Sequence, residues 1–160
     1  MKKSFAMLCF GLIMGIIARL LDIYTTNLGE IFSQMAIWIL MGTLISVYSR
    51  TAREAMLDVL CFCMGMLLTY YVVAALSHGV FAKEFIIGWT LFALFSPGMA
   101  YFAWLTKERG VFPKIVSVGI IAVSVLSSII LFDGLRVYDF AIDGVLIYFL
   151  FFKKINRKNY

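Results

Sequence analysis

Phe132 to Phe152 reads FDGLRVYDFAIDGVLIYFLFF, and whether it crosses a bilayer decides the fold. From Val137 onward it is apolar except for Asp139 and Asp143. A carboxylate at bilayer depth is expensive, so it marks either a function or a helix that does not span.

Composition supplies the frame for that question. Of 160 residues, 63% are hydrophobic and 14% charged, with a mean hydropathy of +0.98. A soluble domain holds about 45–50% apolar and roughly 25% charged residues. A chain this short has too little interior to hide such an excess, so lipid is its expected solvent. One helical membrane domain is expected, with no second domain. The net charge of +5 fits the Lys/Arg bias of cytoplasmic membrane loops, because no soluble basic segment exists to hold a nucleic acid. Cys9, Cys61 and Cys63 all lie in apolar runs and imply no disulfide framework. Cys61 and Cys63 point to different sides of a helix, so neither they nor the nearby Met64 and Met66 suggest a metal. The N-terminal run carries Lys2-Lys3 but no small-residue cleavage pattern, and it is expected to stay as the first helix.

Apolar runs place six candidate spans at Ser4–Leu21, Ile31–Tyr48, Met56–Leu76, Phe85–Leu105, Pro113–Phe132 and Val137–Phe152. Five approach the roughly 20 residues that cross a bilayer, and the last is shorter. Positive charge arbitrates. With the N-terminus inside and six spans, only Arg19, Lys83 and Arg136 of the fourteen Lys and Arg fall outside. Leaving the last run on the surface would put Lys153, Lys154, Arg157 and Lys158 outside, against the positive-inside rule. The expected fold is therefore an all-α, polytopic bundle of six transmembrane helices, with both termini cytoplasmic. Most acids lean outward instead: Asp22, Glu30, Glu84, Asp133, Asp139 and Asp143.

Helical periodicity then places the polar groups. Gly11, Gly15, Arg19 and Asp22 share one face of the first helix, where Gly11-x-x-x-Gly15 allows another helix to approach. Arg136, Asp139 and Asp143 share one face of the last, Arg136 and Asp139 spaced to pair. Together they predict an outer polar cluster of Arg19, Asp22, Arg136, Asp139 and Asp143, with Tyr70 and Tyr71 as further candidate lining. The alternative is an ion-pair network that only locks the bundle. Pro97-Gly98 in the fourth span predicts a kink or hinge, because Pro97 frees the carbonyl of Ala93. His78 lies in an outer loop and is expected to be solvated. Ser49 or Thr51 is expected to cap the third helix. Arg50, Arg53, Lys107, Arg109 and Lys114 form a basic inner rim suited to anionic lipid, or less simply to a cytoplasmic protein.

No hydrolase elbow, zinc-protease, P-loop or dinucleotide fingerprint is present. Neither an enzyme nor a cofactor is expected. The architecture alone is similar to the substrate-binding membrane subunits of energy-coupling-factor transporters. Those carry an alanine-based small-residue pattern in the first helix, where this chain has Gly11 and Gly15. The expectation is a multi-pass plasma-membrane protein of a bacterium-like cell that binds or transports a small solute or ion. The competing class is a scaffold or accessory subunit with a membrane or cytoplasmic protein partner.

Overall fold

A computed structural model of the chain describes residues 2–25, 27–77, 83–131 and 134–155. His78, Phe132, Asp133, Arg157 and Lys158 lie outside the described residues, as do the side chains of Lys83 and Glu84. Helices account for most of the described residues, with no strand among them. The helices are α1 (Lys2–Tyr24), α2 (Asn27–Ser33), α3 (Met35–Val47), α4 (Ala52–Leu76), α5 (Lys83–Leu105), α6 (Val111–Leu131) and α7 (Val137–Ile147). A π-helical turn, Tyr148–Phe152, continues α7.

Four of them, α1, α4, α5 and α6, are long and apolar enough to cross a membrane. The second and sixth expected spans are not among these four. Gln34 breaks the second, taking an extended backbone (φ −92°, ψ 157°) between α2 and α3. What remains, α3, has 13 residues, about 20 Å of helix against a hydrocarbon core of about 30 Å. The sixth keeps its expected bounds of Val137 to Phe152, but as α7 plus the π turn.

α6 shows which solvent the chain is built for. Its buried positions include Ser117, Ser124, Ser127 and Ser128, while Val118, Ile129 and Ile130 are exposed, Ile130 by 72%. A water-soluble helix turns its apolar stripe inward. In lipid the aliphatic face costs nothing outside, and the hydroxyls seek partners within.

The described residues form two compact units, Met1–Ser33 with Met56–Met99, and Gln34–Ala55 with Ala100–Tyr160. In the first unit α1 lies backbone to backbone with α4. A Cβ at Gly11 would fall on the carbonyl of Phe62, and one at Gly15 on the carbonyl of Met66. From the other side, a Cβ at Gly65 would sit 2.6 Å from the Leu8 carbonyl oxygen. The approach lets the Thr69 hydroxyl donate across the helices to the Leu12 carbonyl, at 2.8 Å. Nearer the start of α4, fully buried Asp58 pairs with Lys3 at 3.1 Å and accepts from Ser4 at 2.8 Å. α5 runs through Pro97 unbroken. The carbonyl of Ala93, which Pro97 cannot satisfy, receives the Ser96 hydroxyl at 2.7 Å.

In the second unit α3, α6 and α7 pack on one another. Gly134 (φ +131°) makes the turn after α6, a backbone region that glycine enters without strain. Its N–H returns to the Ser128 carbonyl at 3.2 Å, six residues back. Thr51, not Ser49, caps α4, accepting from the Glu54 N–H at 3.1 Å. The Ser49 hydroxyl instead bonds back to Ile45, and its carbonyl accepts from the Trp104 indole at 3.2 Å. Lys107, placed by sequence on the basic rim, donates to the carbonyls of Phe149, Leu150 and Lys153. Those are orphan carbonyls of the terminal π turn, and a lysine there both bonds them and complements the helix dipole.

Candidate functional site

The buried faces of α3, α6 and α7 carry an unusual share of oxygen. α6 contributes Ser117, Ser124, Ser127 and Ser128, α7 contributes Asp139 and Asp143, and Gln34 stands at the head of α3. Ser117, Ser124 and Ser128 recur at spacings of seven and four, which keeps them on one side of α6. The Ser124 hydroxyl donates to an oxygen of the Asp143 carboxylate at 2.6 Å. Ser127 and Ser128 turn their hydroxyls onto the Ser124 carbonyl, at 2.7 and 3.4 Å. Asp143 is 7% exposed and Asp139 fully buried.

Asp139 has two different oxygens. It is the third residue of α7, and its Oδ2 accepts the backbone N–H of Arg136 at 2.9 Å. That bond is half of a capping box, and a carboxylate in the first turn also suits the helix dipole. The expected side-chain pair between Arg136 and Asp139 is thus replaced by a backbone contact. The Arg136 guanidinium donates to the Tyr138 hydroxyl at 2.9 Å, which also accepts the Gln34 amide N–H at 2.9 Å. The other oxygen, Asp139 Oδ1, is buried without a hydrogen-bond partner, and so is Gln34 Oε1. The seam therefore holds two unpartnered acceptors, one on α7 and one on the extended residue that precedes α3.

The remaining expected residues gather in the other unit. Arg19 pairs with Asp22, and its guanidinium lies 5.6 Å from the centre of the Tyr70 ring. Tyr70 reaches Asp22 through a long contact of 3.4 Å and meets Tyr71 edge-on at 5.6 Å. This group is more open, Asp22 being 34% exposed on its side chain. Arg19 and Asp22 thus belong to one unit, and Arg136, Asp139 and Asp143 to the other. Gly98 faces open space beside Pro97.

Sequence reasoning passed over Gln34 and Ser124 and gave Tyr138 no part in the polar cluster. Ser124 had a visible signal in the serine spacing of α6. Gln34 and Tyr138 had none, since their bond joins residues 104 apart in the chain. No group of three or more His, Cys, Asp or Glu able to hold a metal occurs among the described residues.

Fold and site together define a helical membrane protein with a buried, oxygen-lined seam between three helices. No family model, curated protein or solved structure matches the chain.

Proposed function

We propose that the protein is a multi-pass transporter, or the binding subunit of one, and that the α3–α6–α7 seam takes a small solute or ion. α3 and α7 with its π turn complete six crossings in this reading. The termini and the eleven inner Lys and Arg lie in the cytoplasm of a bacterium-like cell, inside its plasma membrane. The observation that carries the proposal is the pair of unpartnered buried acceptors, Asp139 Oδ1 and Gln34 Oε1. A network that serves only to hold helices together gains by satisfying every member, because an unpaired buried polar group costs about 1–3 kcal/mol. A binding site leaves acceptors open for its ligand. The break at Gln34 supports the same reading, since irregular backbone at membrane depth is tolerated where it is protein-buried or lines a cavity.

A transport seam must meet water in some state of its cycle. Ser127→Cys is therefore expected to react with a small, charged thiol reagent in membrane vesicles, above the background set by Cys9, Cys61 and Cys63. A fully inert cysteine at this position would remove the transport reading.

A further inference from the structure

We infer that the ion of the seam is a proton: Asp139 and Asp143 of α7 hold one exchangeable proton between them, with Asp139 Oδ1 the open position for it. The inference rests on the proposed binding role and names what is bound.

Placement argues first. The two carboxyls stand one helical turn apart on one face of α7, the spacing at which like charges repel. Asp139 is fully buried and Asp143 is 7% exposed. Neither forms an ion pair with a described residue. The elements packed on α7 are α3, α6 and the π turn. α3 has no charged or titratable side chain. On α6 Lys114 alone is charged, and it lies ten residues before Ser124, about 15 Å along the helix. The π turn brings Tyr148, and its carbonyls take Lys107. On α7 itself stand Tyr138 and, at its head, Arg136, whose guanidinium donates to the Tyr138 hydroxyl.

Donor supply argues second. An ionised carboxylate accepts at two oxygens, with room for several donors. Among the described residues Asp139 receives one, the Arg136 backbone N–H at Oδ2, and Asp143 receives one, the Ser124 hydroxyl. Asp139 Oδ1 has none. Two buried charges with so few donors are costly, and the first-turn place of Asp139 on the helix dipole returns only a small part of that cost. One proton removes a charge and the repulsion together. On Oδ1 it leaves the Arg136 bond at Oδ2 undisturbed, so no heavy atom has to move. A metal ion would need several oxygens gathered about one centre, whereas a proton needs one. In uptake a carboxylate takes H⁺ from hydronium and leaves water; release is the reverse, so the step needs no other reactant.

The test is infrared spectroscopy of the full chain in lipid nanodiscs at neutral pH, with D₂O replacing H₂O as the probe. The parent is expected to show the C=O band of a protonated carboxyl, shifted downward in D₂O. The double variant Asp139→Asn with Asp143→Asn is expected to lose that band. If the double variant does not fold, Asp143→Leu takes its place and must alter the band, because the neighbour that shares the proton is gone. A parent without the band overturns the inference, as does a band that ignores D₂O or one that survives unchanged in the variants. If Ser127→Cys reacts from water but no band is found, the proton assignment fails and the transport reading stands. An exchanging band beside an inert cysteine keeps the proton and removes transport. With neither, both fail.

Discussion

Gly11→Ala and Gly15→Ala are each expected to destabilise the folded protein by about 1–3 kcal/mol, and Gly15→Val by more. The reason is that the added carbon meets backbone. At Gly11 it would fall on the carbonyl of Phe62, and at Gly15 on the carbonyl of Met66 and the Thr69 hydroxyl. No rotamer change relieves such a clash, so α1 and α4 must separate along their length. Separation also breaks the Thr69–Leu12 bond. Gly144→Ala is the control, because nothing lies within 4 Å of its position. In mid-helix that change is expected to stabilise by roughly 0.5–1 kcal/mol, through the backbone entropy glycine loses. Melting of the three alanine variants in one detergent reads out the contrast. Equal melting of all three would mean that α1 and α4 do not touch along this face.

The second large effect concerns Asp58, and it is asymmetric. Lys3→Met removes the cation and leaves a fully buried carboxylate with only Ser4. Breaking a buried pair in this way costs about 3–5 kcal/mol, and the lower end applies here because Lys3 keeps 40% of its side chain in solvent. Asp58→Leu takes the charge out of the interior and lets Lys3 return to water or headgroups. It is expected to be near neutral. Melting of the two single variants therefore separates a desolvated clasp from an ordinary surface pair, in which both changes would cost under about 1 kcal/mol.

Composition made the class legible, because 63% hydrophobic residues exceed what so short a chain can bury. The long helices α1, α4, α5 and α6 were legible too, as runs of apolar residues between charges. The break in the second span was not. Residues Ile31 to Tyr48 read as one apolar run, whereas the extended residue between α2 and α3, Gln34, bonds to Tyr138, 104 residues away. Local pattern carries no trace of so distant a contact. The acids of α7 were visible as a shared face, but their roles were not. Asp139 is three residues into the helix and caps it, which depends on where α7 begins rather than on spacing within it. Lys107 looked like one more basic rim residue, because its carbonyl partners belong to a different helix. Periodicity reports which residues share a side of one helix, and the seam is made by three.

The central claim is that the seam is kept for a ligand and not for stability, and Asp143→Leu tests it most directly. Asp143 is a nearly buried carboxylate whose only hydrogen-bond donor among the described residues is Ser124. Without it, the Ser124 hydroxyl can bond back along its own helix, as Ser117 does to Pro113. Removing a costly charge from a functional site commonly stabilises a protein. Melted in nanodiscs, Asp143→Leu is expected to match the parent or exceed it by a few degrees. A fall of about 5 °C or more, roughly the loss of one to two kcal/mol in a chain of this size, would show that the carboxylate holds the bundle together and would contradict the account.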